Sequence, residues 1–315
     1  MFLKNAQSGE NKWWQYLATI AIIVAGNLIG QLPLFFLYLA MVSNSNASET
    51  DIAHMTESLD FTAIGIGQNL SLLLVLMAFV FSLLGLWVGV KYIHKRPFIS
   101  LITPSKRINW GKILFSFGLW MGLTILSELV FYALNPENYS LHFEPGQFFG
   151  LLIIAILVLP FQTSFEELIF RGYLMQGIGL IGIYRWVPLL ISSAAFGLLH
   201  FMNPEVHAFG TGVTMTYYIS VGLFLGFLTL MDDSLELALG IHAATNIYGA
   251  LFVTFDESAL QTAALFHTQS VNMSWMLAGF FVAAIVFTFI AAKNYQWTDW
   301  TKWYAKIETQ QIGKV

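Results

Sequence analysis

Glu166 and Glu167 stand side by side in a stretch, Leu159 to Arg171, that is apolar enough to lie in lipid. An ionisable side chain at membrane depth costs roughly 2.5 kcal/mol or more on insertion scales, so it marks a functional site by default. Downstream, His200 and the pair His242 and Asn246 also fall in apolar segments. A carboxylate in an apolar cavity has its charged form disfavoured and can be tuned into a base near neutral pH. Histidine and asparagine beside it can move a proton or donate hydrogen bonds to a developing oxyanion. Together these residue types look like an active site. Ser164 lies close by, but no base is spaced near it and no Gly-x-Ser-x-Gly elbow occurs.

The spacing adds detail. Residues four apart share a helix face, which pairs Glu167 with Arg171, Phe196 with His200 and His242 with Asn246. Glu166 points about 100° away from Glu167 at ~3.6 residues per turn, so one acid can be structural while the other stays unpaired. Pro160 lacks a backbone N–H and either kinks the helix ahead of them or sits there as an ordinary tolerated transmembrane proline. The same residues invite a zinc reading, with Glu166, His200 and His242 as ligands and one open position. The His-Glu-x-x-His helix of common zinc proteases is absent.

The elements that must position these groups are transmembrane helices. Of 315 residues, 57% are hydrophobic and 10% charged, with a mean hydropathy of +0.68. That excludes a soluble globule and implies a polytopic membrane protein. With no basic stripe, nucleic acid is not an expected partner. The chain has no cysteine, which removes thiol nucleophiles, disulfides and cysteine-bound metal. The first apolar run is too long for a signal peptide and reads as a retained span.

Apolar runs predict an all-α bundle of about eight spans, near 14–41, 66–92, 111–134, 148–176, 186–202, 215–231, 235–254 and 272–292. Three regions follow: an N-terminal part over 1–147, a catalytic core over 148–255, and a last span with an interfacial tail over 256–315. Glu166 and His200 flank the turn near Gly182 at similar depth, and His242 enters from the same side. Lysine and arginine bias supports this count. Lys4, Lys12, Lys91, Lys95, Arg96, Lys106, Arg107, Lys112, Arg171, Arg185, Lys293, Lys302, Lys306 and Lys314 all fall to one side of it. The opposite loops carry the acids Glu49, Asp51, Glu57, Asp60, Glu137, Glu144, Glu205, Asp256 and Glu257. Both termini are therefore expected in the cytoplasm. Glu128 is expected near an interface. Trp297, Trp300, Trp303 and Tyr304 suggest a short interfacial helix at the C-terminal end. Glycine pairs at 26 and 30, 85 and 89, 118 and 122, and 222 and 226 allow close helix packing. No internal repeat suggests a transporter built from two halves.

The three motifs in order, Glu166-Glu167-x-x-x-Arg171, Phe196-x-x-x-His200 and His242-x-x-x-Asn246, resemble the CPBP family. It groups CAAX prenyl proteases of the second type with bacteriocin-processing and self-immunity (Abi) membrane proteins. Asn203-Pro204 is also similar to the family, and the resemblance covers about residues 160–250. It implies a glutamic intramembrane endopeptidase without a metal cofactor, acting on a membrane-associated peptide or protein. In that scheme Glu166 activates water with help from His200, and His242 and Asn246 serve the oxyanion. Glu167, Arg171 and Phe196 give structural support. The expected location is a bacterial inner membrane. A non-catalytic binding or immunity protein, a zinc-dependent protease and a proton-coupled transporter remain the alternatives.

Overall fold

The computed structural model describes residues 1–43, 65–182, 184–260 and 262–307. Glu49, Asp51, Glu57 and Asp60 of the expected acidic loop, together with Lys314, lie outside them. Helix α1 (Trp13–Val42) packs against α2 (Gln68–Val88). The contact depends on glycines. A Cβ added at Gly26 would come within 2.5 Å of the Phe81 carbonyl oxygen, and one at Gly30 within 2.6 Å of Ala78 Cα. From the facing helix, Gly85 meets the Ile22 carbonyl at 2.9 Å. Two of the expected small-residue pairs therefore face each other across one antiparallel seam. Gly118 and Gly122 face open space and pack nothing.

The remaining α-helices among the described residues are α3 (Trp110–Leu134), α4 (Pro145–Leu157), α5 (Leu159–Glu167), α6 (Met175–Gly179), α7 (Trp186–Leu199), α8 (Pro204–Phe209), α9 (Thr211–Asp232), α10 (Glu236–Leu251) and α11 (Met273–Asn294). The expected fourth span is not one regular helix. It breaks at Val158, where Pro160 occupies the first turn of α5, and widens to a π-helix over Leu168–Leu174. Proline accounts for the break, because it cannot donate to the preceding turn. The π turn begins directly after the glutamate doublet, where such turns gather at functional sites.

Among the described residues, six helices are long and apolar enough to cross a membrane, so the count of eight is not confirmed. The other two expected spans exist as α7, of 14 residues, and α10, of 16. At ~1.5 Å per residue these reach about 21–24 Å, short of a ~30 Å hydrocarbon core. Helix α10 is an internal strut, buried on most of its faces. An added Cβ at Gly240 would collide with Ser116 and the Ile113 carbonyl of α3, so only glycine permits this crossing.

One end of the bundle gathers charge. Asp233 accepts from the Phe2 backbone N–H and pairs with Arg185 at 3.5 Å and Lys302 at 2.9 Å; Asp232 pairs with Lys112 at 2.7 Å. The N-terminal segment, the start of α3, the α6–α7 connection, the α9–α10 turn and the chain after α11 thus meet at the same end. The stretch from Gln296 to Lys306 is turns rather than the expected interfacial helix, and the Ala305 carbonyl accepts from the Arg185 N–H. The other end carries the departure from an all-α plan. Strands β1 (Tyr139–Leu141), β2 (Val253–Thr254) and β3 (Phe266–Thr268) form a small sheet in the order β1-β3-β2, pairing Ser140 with His267 and Thr254 with His267.

Candidate active site

The doublet sits at the end of α5, just ahead of the π turn. Glu167 and Arg171 are both completely buried, and the Arg171 Nη1–H donates to Glu167 Oε1 at 2.7 Å. This is the expected pair. The same Oε1 lies 2.7 Å from Nδ1 of His242, on α10. A carboxylate cannot donate, so Nδ1 carries a proton there. Arg171 also donates to the Gly222 carbonyl on α9. Its guanidinium lies 4.5 Å from the centroid of the Phe196 ring, a cation–π contact in a water-poor site. Phe196 is therefore more than core filling, because its ring covers a buried cation.

His200 follows α7, one turn from Phe196. Its Nδ1 lies 2.7 Å from the Phe196 carbonyl oxygen, which accepts and so places the proton on Nδ1. Nε2 is then the unprotonated atom, able to receive a proton. The ring stacks on Tyr218 of α9 with centroids 4.4 Å apart. That Phe-x-x-x-His spacing thus fixes both the position and the tautomer of the histidine.

Glu166 is not the unpaired acid expected from the sequence. Its Oε1 accepts a short hydrogen bond from Gln162 Nε2, one turn earlier on α5. Gln162 Oε1 accepts in turn from Asn246 Nδ2 at 2.9 Å. A single glutamine therefore connects Asn246 to Glu166. The other oxygen, Oε2, lies 3.4 Å from Nε2 of His242 and accepts no hydrogen bond from the protein. His242 thereby touches both glutamates, one through each ring nitrogen.

The structure brings Glu166, Glu167, Arg171, His242 and Asn246 into one hydrogen-bonded constellation, with Phe196 and His200 against it. The sequence reading passed over Gln162, Tyr218 and Glu205. Gln162 had a signal, the four-residue spacing to Glu166 on an apolar helix. Tyr218 and Glu205 had none. Expected as a loop acid, Glu205 is buried; its Oε1 accepts from the Ala259 N–H at 2.7 Å and its carboxyl also bonds Tyr218. Burial pushes its pKa above the ordinary carboxylate range, against the pull of the Ala259 N–H. Asn203, of the Asn-Pro dipeptide, donates to the same Tyr218 hydroxyl at 3.0 Å.

Among the described residues, no three His, Asp or Glu side chains form a group able to hold a metal ion. His242 turns Nδ1 to Glu167 and His200 turns Nδ1 to a carbonyl, which leaves the Nε2 of each as the atom able to take a proton or a ligand. What the arrangement can do is hold and move protons. It contains a carboxylate oxygen without a protein donor, an imidazole with an open Nε2, and an amide tied to the carboxylate through one glutamine.

Comparison with known proteins agrees with the motif order. Residues 145–248 match the family described as type II CAAX prenyl endopeptidase Rce1-like, and every residue of the constellation falls inside that range. The uncharacterized protein YyaK of Bacillus subtilis (strain 168) is 31% identical over 287 residues, covering 89% of this chain and 91% of that protein. No solved structure matches the chain.

Proposed function

This chain belongs to the Rce1-like family of type II CAAX prenyl endopeptidases, and from that premise we propose that it cleaves a membrane-associated peptide with a water activated by Glu166 and His200. The observation that carries this reading is the pair of open proton acceptors. Glu166 Oε2 has no protein donor, and His200 exposes Nε2 because Nδ1 is committed to the Phe196 carbonyl.

The chemistry follows from those atoms. Water between Glu166 and His200 gives up a proton to them as its oxygen attacks the scissile carbonyl carbon. Negative charge develops on the carbonyl oxygen. Asn246 keeps one amide N–H beyond the one given to Gln162 and can donate it to that oxyanion; His242, with its Nδ1–H on Glu167, donates from Nε2 only as the imidazolium. The captured proton then passes to the leaving nitrogen as the C–N bond breaks. Glu167 and Arg171 take no proton in this scheme. They orient His242, and neutralise each other, in a site where an unpaired charge would be costly. No metal takes part in these steps.

The substrate class is a peptide or protein presented from the bilayer, and a CAAX-type prenylated tail is one member of it. The residence is a bacterial cytoplasmic membrane with both termini inside, which the charge bias supports. The test is cleavage of a panel of membrane peptides, prenylated and not, by detergent-purified protein. Cleavage by the wild type that is lost in Glu166→Gln supports the reading. Binding without cleavage by the wild type sinks it in favour of a silent binding protein.

A further inference from the structure

Glu128 has no part in the scheme above, yet it occupies an unusual place. It lies on α3 within a cavity of about 620 Å³ enclosed by α3, α9, α10, α11 and the small sheet. That volume is within the ordinary range for ligand sites. Among the described residues, no lysine, arginine or histidine lines it, and Glu128 is the one charged side chain. Tyr139 donates its hydroxyl to Glu128 Oε1 at 2.6 Å. Burial and the adjoining carboxylate raise the pKa of Tyr139, so the hydroxyl stays protonated and acts as donor. The rest of the wall is rich in rings: Trp120, Tyr217, Tyr248, Trp275 and Phe280.

A lone carboxylate among aromatic faces attracts one kind of guest. Ring faces carry negative potential and draw cations within about 6 Å. A carboxylate completes the attraction for an ammonium or guanidinium whose stem is apolar. The cavity shares helices α9 and α10 with the candidate active site. Helix α10 carries His242 and Asn246 and gives Thr245, Tyr248 and Gly249 to the cavity wall; Gly249, seven residues from His242, lies on nearly the same stripe. Tyr217 lines the cavity, and its chain neighbour Tyr218 stacks on His200.

We propose that this cavity is a subsite for a basic side chain, lysine or arginine with apolar neighbours, of the peptide that the active site cleaves. Naming the guest as substrate rests on the proteolytic reading; binding of an apolar cation does not.

The test uses probes with no scissile bond. Full-length protein in an uncharged maltoside detergent is titrated with octylguanidinium, octanol and octanoate, followed by calorimetry and by tryptophan fluorescence. Octylguanidinium should bind at least ten-fold more tightly than octanol, and octanoate more weakly than either. Glu128→Gln should erase the preference for the cation and leave octanol unchanged. Gly249→Trp fills the cavity from a position where an added Cβ meets nothing, and should weaken both cation and alcohol. It keeps the question answerable if Glu128→Gln fails to fold. Equal binding of cation and alcohol, or a cation affinity indifferent to both substitutions, overturns the proposal and leaves a cleft for lipid chains. A cleaved peptide then gives the second arm. Replacing its lysine with norleucine should lower kcat/KM at least ten-fold in the wild type and not in Glu128→Gln. Cleavage blind to that lysine overturns the subsite while the protease stands. Cation binding that depends on Glu128, without cleavage of any peptide, upholds the cation site and refutes the protease.

Discussion

The two glutamates differ by what holds them, and this separates their mutants. Glu167 accepts from Arg171 and from His242 with no exposure to solvent. Glu167→Gln strands a buried guanidinium, and removing one partner of such a pair costs on the order of 3–5 kcal/mol. A large fall in the thermal midpoint of the detergent-solubilised protein is expected. Glu166→Gln keeps a hydrogen-bonding group beside Gln162 and His242, so the midpoint should stay near wild type while cleavage is abolished. If the stabilities are reversed, the assignment of roles is wrong. Asn246 is the second discriminator. As an oxyanion donor, its loss in Asn246→Ala should lower kcat by roughly 10²–10³ with little change in substrate binding. Activity of the wild type should also survive exhaustive chelation. One tightly held zinc per chain, whose removal stops cleavage and whose return restores it, would make Glu166, His200 and His242 ligands and require a rearranged site.

At the scale of elements, the motifs were readable because each uses four-residue helical spacing, which places its two members on one face without any knowledge of the fold. The break at Pro160 was readable for a similar local reason. What was hidden was contact between helices. That Gln162 would meet Asn246, or that Glu205 would be buried against Ala259 and Tyr218, depends on how α5, α8, α9 and α10 pack. Hydropathy also could not show that α7 and α10 are shorter than the hydrocarbon core they were expected to cross. His94 is another residue placed by packing between elements: it is fully buried and joins three of them. Nδ1 lies 2.7 Å from the Glu10 carbonyl and Nε2 lies 2.8 Å from the Tyr173 hydroxyl in the π turn. Burial, helped by the Arg96 guanidinium, depresses its pKa, while the Glu10 carbonyl pulls the other way. The folded value is thus below the unfolded value of about 6.5. Below that pH the unfolded chain binds the extra proton more readily, so His94 contributes stability above pH ~6.5 that is lost as pH falls through its folded value. Midpoints measured from pH 8 down to 5 should decline more steeply in the wild type than in His94→Asn. Equal slopes would show that His94 does not titrate on unfolding.

Across the whole molecule, charge is sorted between the ends, and this sorting carries the orientation. Lys112, Arg185 and Lys302 meet Asp232 and Asp233 at the end that also holds Phe2. Arg171 belongs to the same count by sequence, but it lies in the core as a structural partner and says nothing about orientation. The end with the small sheet exposes Glu137, Asp256 and Glu257. Cytoplasmic loops carry the excess of lysine and arginine, so the basic end should face the cytoplasm and the sheet end the exterior. The chain has no cysteine, which leaves single introduced cysteines as clean reporters. Lys106 and Glu257 are both exposed and lie at the two ends. In intact cells, a membrane-impermeant thiol reagent should label Glu257→Cys and spare Lys106→Cys until the membrane is opened. The opposite pattern would invert the bundle and leave its fold intact. It would also put the sheet residues that line the Glu128 cavity, Tyr139, Val253 and Thr268, on the cytoplasmic side. Labelling of both positions in intact cells would place the two ends on one side and break the polytopic arrangement itself.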